Sequence, residues 1–294
     1  MEEYGKIYKF KEKLPINKGW SGERKYIATD SEGKKYLLRI ADAAKLERKL
    51  TEAEIMRLAS EGGALTSLSL DVGLCEEGVY SVQSFIDGDA ADQVIPTLPE
   101  GEQYRYGLEA GRMLKAIHGI APVPDAPLWE VRFGSKADRK IRQYTDCPLK
   151  YEGGELLVDY INEKRHLLVG RPNVYQHGDY HIGNMMVGND GRLYIIDYDK
   201  WDIGDPYEEF NRIVWSATKA PAFASGTVDG YFDGNVPYEF WELLALYISS
   251  NCLSSLPWAI PYGEEQIEIM REQARQILLW YDGMKNPVPS WYIK

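Results

Sequence analysis

The chain has 294 residues, 44% of them hydrophobic, with 34 basic and 45 acidic side chains and a formal net charge of −11. That length can hold two lobes and bury a sizeable core, while the acidic balance and the lack of a basic stripe disfavour a nucleic-acid partner, because phosphate contacts need clustered Lys and Arg. The longest apolar run, residues 243–248, is too short to cross a bilayer and the opening MEEYGKIYKFKEK lacks the apolar core of a signal peptide, so a cytoplasmic protein with no membrane partner is expected.

In chain order, residues 23–29 and 35–40 read as the arms of a hairpin, with Asp30-Ser31-Glu32-Gly33 as its turn. Leu46, Leu50, Ala53 and Met56 recur at helical spacing and predict a helix that packs this face. Strands at 67–74 and 79–85 follow, Asp87-Gly88-Asp89 breaks the pattern, and 84–88 is the expected hinge. This divides the chain into an N-terminal lobe, 1–86, and a C-terminal one, 87–294. Tyr106, Ala110, Met113 and Ile117 make one helix face, 122–127 is a loop, and further helices are expected at 136–144, 155–168, 207–218, 238–250 and 264–280. Cys75, Cys147 and Cys252 are odd in number and far apart, which suggests neither a disulfide framework nor a zinc site.

The most informative stretch is 176–209, which holds His177-Gly178-Asp179, Asn184 five residues on, and Asp197 at the end of an apolar run. Residues 185–187 and 193–196 read as short strands, and Asn189-Asp190-Gly191 supplies hairpin turn chemistry. Such a hairpin returns Asn184 and Asp197 to one another. Magnesium takes hard oxygen ligands, so one carboxylate and one amide carbonyl beside phosphate oxygens and water complete a shell. Asp197 and Asn184 fit that role, and a carboxylate at a loop tip, Asp179, suits a hydroxyl nucleophile that needs a hydrogen-bond acceptor. Each residue alone fits capping or solvation; their joint spacing points to phosphoryl transfer.

These residues resemble the aminoglycoside phosphotransferase family of small-molecule kinases, whose pattern is HGDxxxxN, an ID pair at a strand end, then GDPxxD. Here the pattern stands as His177-Gly178-Asp179 with Asn184, Ile196-Asp197, and Gly204-Asp205-Pro206 followed by Glu209 in place of the last Asp. The resemblance implies a bilobal α+β protein-kinase-like fold, Asp179 as catalytic base, Asn184 and Asp197 as Mg2+ ligands, and ATP or GTP as co-substrate. Gly178 stands where protein kinases carry the Arg of HRD, and only residues 198–204 separate Asp197 from the next helix start. No room is left for a phosphorylation-controlled loop.

For the nucleotide, the loop Asn17-Lys18-Gly19-Trp20-Ser21-Gly22 could touch phosphate through backbone N–H groups and the Ser21 hydroxyl. By resemblance, Arg39 stands where the family has a phosphate-gripping Lys, Glu52 is its helix partner, and the backbone of Ser84 and Ile86 meets the base edge. Arg is not equivalent to Lys in geometry. Residues 199–294 hold 7 basic and 14 acidic side chains, which favours a cationic small-molecule acceptor. Trp215, Trp241, Tyr247, Trp258 and Trp280 with Asp202, Asp233, Glu239 and Glu242 could form an amine-binding pocket, or the aromatics could simply be core. The expected activity is transfer to an amino-sugar hydroxyl; a choline, homoserine or ketosamine type of kinase and a nucleotide-binding pseudokinase are the alternatives.

Overall fold

Antiparallel strands build the first part of the chain, and the central ones, β5 and β7, are buried along most of their length. The computed structural model describes residues 2–5, 8–17, 22–121 and 123–293. Strand β1 (Glu2–Tyr4) pairs with β2 (Tyr8–Phe10). Strands β3 (Glu12–Pro15), β4 (Arg24–Thr29), β5 (Lys35–Ala41), β6 (Ser69–Cys75) and β7 (Gly78–Ser84) form an antiparallel sheet in the order β3-β4-β5-β7-β6. The β4–β5 register sets Lys25 opposite Arg39. Because side chains alternate across a strand, these two share one face, and Glu23 lies diagonally beside Arg39 on it.

Helix α1 (Leu46–Glu61) packs against this sheet, but not on the expected stripe. Its buried residues are Lys49, Glu52, Ile55, Met56 and Ala59, whereas Leu50 is 48% exposed. Charge outweighs hydropathy here, because Lys49 and Glu52 find buried partners that Leu50 would leave unpaired. Ile55, Met56 and Ala59 belong to the large core shared with the later helices, while Tyr4, Phe10, Ala28, Tyr36, Leu38 and Val82 form a separate small core in the sheet.

Next come β8 (Gly88–Ala90), α2 (Ala91–Val94), α3 (Glu100–His118), α4 (Trp129–Asp146) and α5 (Gly154–Lys164). Strands β9 (Val174–Gln176), β10 (Met185–Gly188), β11 (Leu193–Ile195) and β12 (Asp202–Gly204) follow, then α6 (Ile213–Lys219), α7 (Pro221–Phe232), α8 (Tyr238–Ala259) and α9 (Glu264–Trp280). The hairpin β10–β11 is extended by β8, and β12 pairs with β9. The whole is a mixed α+β, kinase-like architecture. The sequence predicts the hairpin and α9, but not β1, β2, β3, β8, β9, β12, α2 or α7, and it starts α4 late and stops α8 short.

Helix α8 is apolar enough over Tyr238–Tyr262 to match a membrane span by length and composition. It is instead a core helix, with Phe240, Leu243, Leu244, Tyr247 and Leu256 buried and α4, α5 and α9 packed around it. Helices α3 and α7 cross so closely that their backbones touch. A Cβ at Gly107 would stand 2.2 Å from the Phe223 carbonyl oxygen, one at Gly111 2.2 Å from that of Thr227, and one at Gly226 2.2 Å from that of Tyr104. Gly226→Ala should therefore destabilise the protein by about 1–3 kcal/mol through overpacking, while Gly101→Ala, in open space in the first turn of α3, should be neutral or stabilise by up to about 1 kcal/mol. Urea unfolding of both variants checks the contrast.

Candidate active site

The β10–β11 hairpin brings the three candidate residues of the 176–209 stretch together. Met185 pairs with Ile195, and the N–H of Ile196 donates to the Asn184 carbonyl at 3.0 Å, so Asn184 and Asp197 flank the mouth of the hairpin. The Asn184 side-chain Nδ2 donates to the Asp179 carbonyl at 2.9 Å. This fixes the amide orientation and leaves Oδ1 available as an oxygen donor. Asp197 itself sits in the left-handed region at φ 68°, ψ 63°, a conformation that Asp tolerates better than most residues and that recurs at functional sites.

The loop that carries Asp179 is held from below. Gly178 has φ +84° and a Cβ there would lie 1.9 Å from the Lys200 carbonyl oxygen, so no side chain fits. Its N–H donates to Glu209 Oε1 and Oε2 at 3.0 and 3.2 Å. The longer arm of Glu209 thus reaches the loop, buried at 2% exposure. His177 Nε2 lies 3.0 Å from the Ile196 carbonyl. Asp205, fully buried, accepts from Arg171 Nε at 2.7 Å and Nη2 at 2.9 Å, and from the Tyr247 hydroxyl at 2.6 Å. Those bonds tie the Gly204-Asp205-Pro206 segment to Arg171, just before β9, and to Tyr247 of α8.

The Asp197 carboxylate receives two cations from the sheet: Lys25 Nζ at 3.0 Å on Oδ2 and Arg39 Nη1 at 2.9 Å on Oδ1. Burial opposes its ionisation, but the fields of Arg39 and Lys25 outweigh burial and hold its pKa down to about 2. Burial likewise disfavours the Arg39 guanidinium, yet Asp197 and Glu23 raise its pKa further above the ordinary value.

The expected pair of Arg39 with Glu52 is not formed. Arg39 Nε donates to Glu23 Oε2 at 2.8 Å, and Glu52 takes Lys49 Nζ at 2.6 Å. Lys49 also approaches Glu23 at 2.7 Å and Asp199 at 3.3 Å. The carboxylate of Glu23, just before β4, is nearer to Arg39 than the helix carboxylate, and Lys49 on α1 takes the latter. Buried ions in such a network are retained only because each has a partner.

Of the remaining candidates, Ser21 lies outside the described residues. The Ser84 N–H already donates to the Leu68 carbonyl at 2.8 Å. Ser84 and Ile86 line a cavity of about 290 Å³ with Thr66, Gly188 and Tyr194, and that cavity shares no residue with the Asp179–Asp197 group. The acids expected around an amine each stand in an ion pair instead: Asp202 with Arg132, Asp233 with Lys115 at 2.7 Å, Glu239 with Arg171 at 3.7 Å and Glu242 with Lys164 at 3.1 Å. Trp241 and Tyr247 are buried core, and Trp258 is 44% exposed against Tyr262.

Sequence reading missed Glu23, Lys25, Lys49, His181 and Arg212. Lys25 was within reach, because the predicted hairpin register places it opposite Arg39. The others approach through tertiary packing: His181 Nε2 and Arg212 Nε lie 3.6 and 3.4 Å from Asp179 Oδ1.

A sheet cation pair on Asp197, with Asn184 beside it and the loop Asp179 hydrogen-bonded to that Asn, lies within a kinase-like fold. Residues 13–243 match the model of the phosphotransferase enzyme family, and the chain belongs to that family. The fold is similar to aminoglycoside phosphotransferase APH(4)-Ia in its complex with ADP and hygromycin B, at 16% identity and a TM-score of 0.67 over 92% of this chain and 94% of that one. It is also similar to spectinomycin phosphotransferase APH(9)-Ia (17%, TM-score 0.63, 91% and 89%) and to the GDP complex of aminoglycoside 2'-phosphotransferase-IIIa (13%, TM-score 0.69, 92% and 93%). No curated sequence matches the chain.

The depressed pKa of Asp197 has a definite sign. Folded near 2 and unfolded near about 3.9, the group contributes stability that is fully present above the unfolded value and is lost as pH falls through the folded one. Asp197→Asn should therefore flatten the stability profile between about pH 5 and 2, read as urea midpoints at each pH; a profile parallel to the parent's would contradict the ion pairing.

Proposed function

We propose that this enzyme transfers the γ-phosphoryl group of ATP or GTP to a hydroxyl of a small molecule. The observation that carries the reading is the convergence of Asp179, Asn184 and Asp197 through the hairpin and the Asn184–Asp179 hydrogen bond. Family membership supports the reaction class. A binding-only module has no use for Asp179, which weighs against the pseudokinase reading.

Asp197 and Asn184 Oδ1 fit a hard cation: one charged carboxylate and one amide oxygen, with phosphate oxygens and water left to complete the shell. Among the described residues no group of three or more His, Cys, Asp or Glu forms an all-protein metal cage, which suits an ion that keeps phosphate and water ligands. Magnesium, when bound with the nucleotide, neutralises charge on the β- and γ-phosphates. Lys25 and Arg39, now on Asp197, are the cations positioned to turn toward phosphate oxygens. Asp179 would accept the hydrogen bond of the acceptor hydroxyl and take its proton as the new O–P bond forms and the bond to the leaving diphosphate breaks. The backbone of Ser84 and Ile86 is assigned to the base, Ser21 to phosphate, and Glu52 to holding Lys49.

Hygromycin B and spectinomycin, bound in the similar structures, belong on an acceptor panel beside choline-, homoserine- and ketosamine-type alcohols. Magnesium-dependent nucleotide hydrolysis without acceptor, and turnover with one of the panel, test the activity; absence of both overturns it. Asp179→Asn should lower kcat by about a hundredfold or more, the range of a general base, with nucleotide affinity within a few-fold by titration. Lys25→Met should raise the KM for the triphosphate by about tenfold, as loss of one charge-assisted hydrogen bond implies; an unchanged KM would return Lys25 to a purely structural role.

A further inference from the structure

Asp197 keeps a strained, left-handed backbone, and a non-glycine residue stays there only where its surroundings over-determine it. On the N-terminal side the Ile196 N–H donates to the Asn184 carbonyl at 3.0 Å, and His177 Nε2 lies 3.0 Å from the Ile196 carbonyl. On the C-terminal side stands one 3-10 turn, Tyr198–Lys200, closed by the Trp201 N–H on the Tyr198 carbonyl at 3.0 Å. A turn this short leaves its last carbonyls without partners of its own, so what fixes it must come from elsewhere in the chain.

It comes from Arg48, in the first turn of α1. Arg48 Nη2 donates to the Asp199 carbonyl at 2.8 Å and to the Trp201 carbonyl at 2.9 Å, and the guanidinium lies over the Trp201 indole, 4.8 Å from the ring centre. Its neighbour Lys49 reaches the Asp199 carboxylate at 3.3 Å. Arg48 thus binds the backbone of the turn and Lys49 its side chain. The base of this grip is rigid, because Ile55, Met56 and Ala59 of the same helix belong to the core shared with the later helices. The turn also abuts the loop that carries Asp179: a Cβ at Gly178 would lie 1.9 Å from the Lys200 carbonyl oxygen. Hydrogen bonds from a charged donor are stronger than neutral ones, and a guanidinium adds a planar face for the indole that an ammonium lacks. On the exposed side of α1, Arg57 pairs with Glu54 and Glu61 and is a natural contrast.

We propose that Arg48 is a positioning residue for Asp197: by holding the carbonyls of the 198–201 turn it maintains the backbone that aims the Asp197 carboxylate at the metal. This rests on the phosphotransferase reading and adds what keeps its site assembled. Arg48 acts through the turn and touches neither nucleotide nor acceptor. The counterpart of this segment in protein kinases is controlled by phosphorylation; here an arginine of α1 fixes it in the unmodified chain. Arg48 is separate from the cations on the Asp197 carboxylate, since Lys25 and Arg39 bind its oxygens and Arg48 binds the backbone that follows.

The test titrates the full chain and its Arg48→Met, Arg48→Lys and Arg57→Met variants with AMP-PNP and GMP-PNP, with and without Mg2+, by calorimetry. Amide exchange of peptides covering 196–204 is followed beside it by mass spectrometry. In the parent, Mg2+ should tighten binding of at least one of the two nucleotides. Arg48→Met should raise the Mg2+ concentration needed for half of that tightening by about tenfold, the low end for loss of a group that supports a metal ligand. Binding without Mg2+ should be unchanged, and exchange should quicken across 196–204 but not in β7. Arg48→Lys keeps the charge and loses the fork and the stacking, so its Mg2+ requirement should rise by only about threefold. Arg57→Met should match the parent. A Mg2+ requirement at the parent's level in the Arg48 variants overturns the proposal, whatever the exchange. Equal weakening with and without Mg2+, the mark of a purely structural role, overturns it as well. Should Arg48→Met not fold, Arg48→Lys is read alone on the same terms. Either failure leaves the phosphotransferase reading standing as long as Mg2+ tightens nucleotide binding by the parent; a parent in which it tightens neither nucleotide overturns both.

Discussion

The contact between the Asp197 carboxylate and the two sheet cations Lys25 and Arg39 is the interaction on which the site depends. It joins the antiparallel sheet to the hairpin that holds Asn184, and it does so at a residue whose backbone is already in the left-handed region. The ion pair cannot be discarded cheaply, because Arg39 is 2% exposed and losing its partners would leave a buried charge uncompensated. Yet Asp197 itself is partly accessible, with 28% of its side chain exposed. The carboxylate that the protein neutralises with its own cations therefore stays open to solvent.

Behind that contact lies a second layer of charges. Glu23, Glu52 and Asp199 surround Lys49, each within ion-pair distance of it, and Glu23 also pairs with Arg39. The substitution of Arg for Lys at position 39 is accommodated here. A guanidinium has several donors in a fixed fork, and it divides them between Glu23 on its own sheet and Asp197 across the cleft. Lys49 then supplies the charge that Glu52 needs. Arg39 is thus held by Glu23, just before β4, and the helix is tied in through Lys49.

The loop that carries Asp179 is stiffened by a different means. Glu209 takes the Gly178 N–H, Asp205 takes Arg171 and Tyr247, and Gln176 donates to the Asp205 carbonyl at 2.8 Å. These acids are buried and serve the backbone, whereas Asp179 remains 31% exposed and meets basic groups. Two populations of carboxylate therefore coexist within one short stretch of sequence, one structural and one available for chemistry, and burial separates them.

Spacing in the chain determined the local chemistry: the HGD-x4-N run, the strand-end Asp and a turn sequence whose hairpin could only return Asn184 to Asp197. These are short-range, and period and turn residues encode them. The same applies to the β4–β5 hairpin and to α9. Partner choice among charges lay outside that reach. Glu52 is matched to Lys49 rather than Arg39, Leu50 faces solvent while Lys49 is buried, and the acids of 199–294 pair with Arg132, Lys115, Arg171 and Lys164. Net charge counts these groups but cannot say which are neutralised. Ion pairing between residues far apart in sequence depends on helix rotation and packing, and only the tertiary structure decided it, together with the close α3–α7 crossing at glycine.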